Sequence, residues 1–274
     1  MAEAGATPTV RPAALLRRPH VGRLLASSLV GRLPTGMVPL ALVLFTRGSG
    51  RDFHEAGLLT AAYSLGACLG GPLLSRLVDL RGQRGTLVLG GVVSSVALAA
   101  VPFGPAGVAL VLALVAGAAT PPLEPALRTL WPSVLPAREV PAAFAVDAAA
   151  QELVFVLGPL VVLLAQSLGD GGGLVAAACV GVAGTLWFTG SPVSRGWTPV
   201  AQERHWLGPL RSLRLCGLYV VVALVGLTVG VPAVALVAYA ESVGSASWGA
   251  VARGRQRPRR ARRGSRLQQP RTAA

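Results

Sequence analysis

Lysine, isoleucine and asparagine are absent from the 274 residues, so each of the 25 basic side chains is an arginine. That bias has the look of GC-rich coding, and arginine alone therefore does not mark a bidentate phosphate or carboxylate clamp here. Charge of either sign is scarce: charged residues make up 13% of the chain and apolar residues 53%, too little polar surface to keep a lone water-soluble domain in solution. Cysteine is also rare. Cys68, Cys179 and Cys216 lie in apolar segments without metal-ligand spacing, which excludes a cysteine metal site and reads them as small buried hydrophobes. The three histidines, His20, His54 and His205, are scattered among loops and margins, with no nucleophile–base pair, phosphate loop or metal cluster nearby. An enzyme is therefore set aside, and neither a metal nor a cofactor is expected. The first apolar stretch is long and lacks a small-residue cleavage site before a soluble domain, so it reads as a retained span.

What the chain does have is apolar length. Its 34 glycines and 21 prolines sit inside apolar runs, where membrane helices tolerate them. A span needs about 20 apolar residues. Seven runs of that order are present, at about 21–46, 56–76, 85–102, 107–131, 143–167, 171–190 and 215–239. The third and fourth come from one uncharged stretch, Gly85 to Leu123, divided at the turn sequence VPFGPAG. The expected organisation is a segment 1–20, a six-helix bundle 21–190, a linker 191–213, a seventh helix 214–240 and an Arg-rich tail 241–274 without expected structure.

Arginine retained on the cytoplasmic side orients the spans. Arg11, Arg17 and Arg18 precede the first span and Arg23 stands near its start; Arg76 ends the second and Arg81 and Arg84 follow it; Arg128 stands at the end of the fourth and Arg138 follows it; Arg195, Arg204, Arg211 and Arg214 follow the sixth. The opposite loops hold only Arg47 and Arg51. This alternation predicts a multi-pass protein of the plasma membrane with a cytoplasmic N-terminus, its first partner the lipid bilayer. Trp131 and Trp187, at the inner ends of the fourth and sixth spans, and Trp197 and Trp206 in the linker read as an aromatic belt.

The tail breaks the alternation, with nine arginines between residues 253 and 271 on what should be the outer side. Four readings are open: a basic arm for nucleic acid or anionic lipid, a seventh segment that does not span, a local failure of the charge rule, and a tail that is not the intended continuation of the coding sequence. The last is the expectation. Nucleic acid is not an expected partner of the spans, which require lipid.

Ionisable groups inside apolar helices are costly and usually pair or serve transport. Arg32, about ten residues into the first span, needs a partner. Glu124 and Arg128 are four apart and can pair with each other on one helical face. In the fifth span Asp147 and Gln151 share a face and Glu152 lies next to it. Either carboxylate can neutralise Arg32, as a registry-fixing ion pair or as a proton or cation relay, or can sit at the interface with access to water; for a relay the deeper Glu152 is the expectation. Gly66, Gly70 and Gly71 have small-xxx-small spacing that allows close helix approach. Pro34, Gly36 and Pro39 in the first span, Pro121, Pro122 and Pro125 in the fourth, and Gly158 and Pro159 in the fifth should bend their helices, which suits a bundle that rocks between open states.

The segment SRLVDLRGQRG, residues 75–85, joins the second and third spans on the predicted inner face. It resembles the inner-loop motif of the major facilitator superfamily, Gly-x-x-x-Asp-Arg-x-Gly-Arg-Arg/Lys. Asp79, Gly82 and Arg84 match; Ser75 stands for the first glycine, Leu80 and Gln83 replace two basic positions, and Arg81 lies beside one of them. The segments GRLPTG, PPLEPALRTLW and QELVFVLGP are similar to the actinobacterial branch of that superfamily, over about residues 15–245. The resemblance implies an all-α polytopic fold of twelve helices in two six-helix halves, each half two inverted three-helix repeats, with a cytoplasmic linker at 191–213. This chain would then hold the N-terminal half plus one further helix and lack five helices of the second half, a candidate missing partner. In the family the substrate path lies between the halves, and the motif aspartate latches against the other half. The function so implied is a secondary active transporter of an unidentified small molecule, concretely proton-coupled export by alternating access with Glu152 or Asp147 as coupling acid and Arg32 as its modulating cation. The alternative is a non-transporting or inactive truncated membrane protein that requires a partner.

Overall fold

The computed structural model describes residues 15–198 together with 212–213, 215–218, 220–221 and 224–225. The chain divides into two compact units, Met1–Ala201 and Gln202–Ala274. Every regular element among the described residues is helical. In hydrocarbon each unpaired backbone group costs several kcal/mol, and a helix pairs them all within one segment.

The first unit runs as α1 (Val21–Gly48), α2 (Phe53–Arg81), α3 (Gln83–Ala100), α4 (Ala106–Ala118), α5 (Leu123–Val134), α6 (Val140–Ala165), α7 (Gly172–Thr189) and the short α8 (Pro192–Gly196). Six stretches are long and apolar enough to cross a membrane: α1, α2, α3 with its following 3-10 turn, α4 with α5, α6 with its following turn, and α7. Of the expected seventh span, the described residues 215–218, 220–221 and 224–225 are helical, as is Leu213 at the end of the linker; the rest of 215–239 lies outside the described residues, as do most of the linker and the whole Arg-rich tail.

Local chemistry sets several ends. Asp52 caps α2, its carboxylate accepting the Glu55 amide at 2.9 Å. Gly82, at φ 95° and ψ 160°, is the sole residue between α2 and α3, a conformation open to glycine and little else. The segment expected to be a loop is therefore mostly helix: Ser75, Asp79 and Arg81 lie in the last turns of α2, and Arg84 in the first turn of α3.

The fourth span is broken rather than bent. Between Ala118 and Leu123 the chain leaves the helix at Pro121–Pro122, because proline removes an amide donor and biases the residue before it away from helical geometry. Pro34, Pro39 and Pro159 leave α1 and α6 uninterrupted.

α1 packs against α6 and α7, and the fourth span packs against α2 and α3. Spans one and four thus exchange between two three-helix groups, the relation expected of inverted repeats. Close approach depends on glycine. A Cβ at Gly66 or Gly70 would run into the α4 backbone at Leu114 and Ala118, and one at Gly184 into that of Gly31. Gly36 and Gly158, expected as bends, form the α1–α6 crossing, where each meets the other helix's backbone. Gly71 faces open space.

Two apolar clusters fill the bundle. One, towards the outer end in the expected topology, holds Met37, Leu42, Phe45, Tyr63, Leu98 and Leu174. The other, at the arginine-rich end, holds Leu24, Leu87, Leu127, Leu130, Trp131 and Phe188. Trp131 is 1% exposed and belongs to this core, so it is not part of an aromatic belt; Trp187 does face outward. Cys68 and Cys179 are exposed on their spans, contrary to the expectation of buried cysteines. Outward-facing apolar side chains of any type suit lipid, so apolarity alone does not tell core from periphery in a membrane helix.

Candidate functional site

The layer between the two apolar clusters is where α1, α5 and α6 bring charge together. Arg32 stands on the same helix as Leu24 and Leu25 of one cluster and Met37 of the other, about 17 Å along α1 at 1.5 Å per residue. The residue is 5% exposed, and its guanidinium donates through NH1 to the fully buried Asp147 carboxylate at 2.6 Å. Gln151, one turn along α6, accepts from the other guanidinium nitrogen.

Two further charges close the set. Arg128 Nε lies 3.3 Å from the second Asp147 oxygen, and its NH2 lies 2.6 Å from Glu124. Glu124 in turn reaches back to Arg32 at 3.3 Å. The result is a ring, Arg32–Asp147–Arg128–Glu124, with two cations and two anions alternating and no net charge. Such compensation is what allows ionised groups inside a low-dielectric bundle. The ring is graded in depth: the Arg32 and Asp147 side chains are 6% and 0% exposed, those of Glu124 and Arg128 38% and 44%. The second pair thus reaches the bundle surface with the first pair behind it.

The break in the fourth span creates this geometry. It starts a new helix at Leu123, so Glu124 falls in the first turn of α5, where a carboxylate also faces the positive end of the helix dipole. Arg128, one turn later, was assigned to the inner loop charge and instead closes the ring. Arg128 also lies over the Phe144 ring at 5.9 Å.

Glu152 is exposed on the far side of α6 from the ring. Of the five charged residues singled out from the sequence, the structure therefore joins Arg32, Glu124, Arg128 and Asp147 and leaves Glu152 apart. The acid on Arg32 is Asp147, and Gln151 completes its shell.

A second polar group, missed from the sequence, lies at the arginine-rich end. Gln83, next to Gly82, is 1% exposed. Its amide donates to the Ala126 carbonyl at 2.9 Å and to Thr129 Oγ1 at 3.1 Å, and its carbonyl accepts from Ser194 Oγ at 3.1 Å. The start of α3 is thereby tied to α5 and α8. The replacement of a basic residue by glutamine at this position was the available signal, because a neutral amide can be buried where a guanidinium would need a counter-charge. At the same end Arg18 grips Glu139, at 2.7 and 3.2 Å, fixing the entry to α1 against the α5–α6 turn.

Six apolar spans around an internally compensated charge ring define a polytopic helical membrane protein. The major facilitator superfamily model matches residues 24–253, and the chain belongs to that family of secondary transporters. No curated protein matches the chain in sequence.

Proposed function

We propose that this chain is a secondary transporter of a small molecule whose conformational cycle is coupled to protons at the charge ring, with Asp147 rather than Glu152 as the exchanging acid. The observation that supports this is the shared carboxylate of Asp147, held at once by Arg32 of α1 and Arg128 of α5. A proton placed on Asp147 removes the buried one of the two anions that both guanidiniums share. The ring is then left with two cations and a single carboxylate, an imbalance that favours separating the helices or admitting an anionic or polar group beside Glu124 and Arg128. Protonation and helix movement are linked in this way without any further cofactor. Family membership supports transport by alternating access, in which the substrate path runs between two halves; the arginine distribution supports a cytoplasmic N-terminus in a plasma-membrane protein. Export of an amphipathic compound is the concrete form of the proposal.

The test is a proteoliposome assay of the full chain, with an imposed pH gradient and ethidium as a trial amphipathic cation. Gradient-driven ethidium movement that Asp147→Asn abolishes, while Glu152→Gln leaves it intact, is the expected result. Loss on Glu152→Gln alone would move coupling to that residue. Absence of movement by correctly inserted protein, across a panel of amphipathic compounds, would favour the alternative of a non-transporting membrane component that needs a partner.

A further inference from the structure

We infer that the groove between α3 and α7 at the arginine-rich end is a binding site for an anionic phospholipid. The groove has a volume of about 530 Å³ and is walled by Val88, Leu89 and Val92 of α3 and Leu186 of α7. Leu89 and Leu186 are more than half or half exposed, so the walls are presented outward rather than to the bundle core. From Arg84 at its mouth to Val92 it follows eight residues of α3, about 12 Å, close to the roughly 15 Å depth of one leaflet's hydrocarbon. Those dimensions suit an acyl chain.

The mouth supplies the complementary charge. Arg84 is exposed and has no hydrogen-bond or ion-pair partner among the described residues. Across from it the Gly190 carbonyl draws in two more guanidiniums, Arg195 at 2.6 and 3.2 Å and Arg23 at 3.5 Å. Arg84 thus lines the mouth, Arg23 and Arg195 stand beside it on the Gly190 carbonyl that also lines it, and no carboxylate lines the groove. Trp187, beside the Leu186 wall, is 43% exposed, and an outward tryptophan at a span end marks the headgroup level. Gly85 lines the mouth and opens onto free space, since a Cβ there would meet nothing within 4 Å. Lipid of the leaflet at this end, cytoplasmic in the topology proposed above, is the occupant, and a phosphate headgroup with a net negative charge is what the three guanidiniums select.

Native mass spectrometry of the purified full chain tests this, with phosphatidylglycerol and phosphatidylcholine supplied in equal amounts. The expected result is preferential retention of phosphatidylglycerol, lowered about five-fold by Arg84→Gln, the share of one arginine near a headgroup. Gly85→Trp, which fills the groove without a backbone clash, should remove the retained lipid. Arg138→Gln takes a charge from the same end away from the groove and should leave retention unchanged. Equal losses in R84Q and R138Q would reduce the effect to bulk charge and overturn the proposal, as would retention undiminished by G85W. If G85W does not fold, the comparison of R84Q with R138Q decides alone.

Discussion

Arg32 has its carboxylate on α6, and the choice between two acids five residues apart comes down to helical phase. Five residues advance about 140° around a helix, so Asp147 and Glu152 cannot both face α1. Asp147 shares its face with Ala143, Ala150, Val154 and Gly158, all buried. That run of small residues at three- and four-residue spacing was legible in the sequence and marks the crossing face; depth along the span, the criterion that favoured Glu152, carries no information about phase. The pairing predicts a double-mutant outcome. Arg32→Ala should destabilise the purified protein by about 3–5 kcal/mol, because it leaves Asp147 buried beside one fewer cation. Combining it with Asp147→Asn should recover part of that loss, with a coupling of about 1–3 kcal/mol. Combining it with Glu152→Gln should recover none. Thermal unfolding in detergent across the two cycles measures both, and coupling to Glu152 with none to Asp147 would discard the ring as drawn. Gln83 makes a second residue-scale case: Gln83→Leu strands the Ser194 hydroxyl, while the Ala126 carbonyl keeps the Thr129 hydroxyl as a donor, and should cost about 1–3 kcal/mol.

At the scale of elements, glycine does different work at neighbouring positions. Gly70→Leu would drive a side chain into the α4 backbone at Ala118, whereas Gly71→Leu points into open space. The first should lower stability by about 1–3 kcal/mol and the second by less than about 0.5. Equal effects on the melting temperature would mean that α2 and α4 do not cross there. The one-residue turn at Gly82 invites a similar comparison. Gly82→Ala should cost about 1–3 kcal/mol for its positive φ, while Gly85→Ala, inside helix α3 and facing open space, should be neutral or stabilising. The sequence carried the helical class and the six apolar stretches of the first unit, since apolar length between charged or glycine-proline breaks is a strong signal. It did not separate a bend from a break. Pro34 and Pro39 stay inside α1, whereas Pro121–Pro122 ends one helix and begins another. Two adjacent prolines remove two successive amide donors where a single one is absorbed by its neighbours, and only packing decides which outcome holds. That difference sets the site, because it turns Glu124 into a first-turn residue of a new helix beside Arg32.

For the whole molecule the decisive quantity is the distribution of arginine between the two ends. Among the described residues Arg17, Arg18, Arg23, Arg76, Arg81, Arg84, Arg138 and Arg195 collect at one end. The other has Arg47 and Arg51, stacked over Phe53 at 4.4 Å and Phe45 at 5.9 Å, together with Asp52, Glu55 and Asp170. Translocating the arginine-rich turns is costly because each charge must cross the hydrocarbon, whereas the acids of the other end offset its two cations. An inward arginine-rich end is therefore expected. Single cysteines placed at Gly50, Gly104 and Gly196, with the native cysteines replaced by alanine, test it through a membrane-impermeant maleimide. The first two should label in intact cells and the third only after permeabilisation. The reverse pattern would invert the topology and put the lipid groove in the outer leaflet. Removing residues 246–274 in the same background should leave all three labelling patterns unchanged, because the two ends of the first unit already differ in charge without the tail's nine arginines. A change at Gly196 alone would assign the tail a part in holding the arginine-rich end inside.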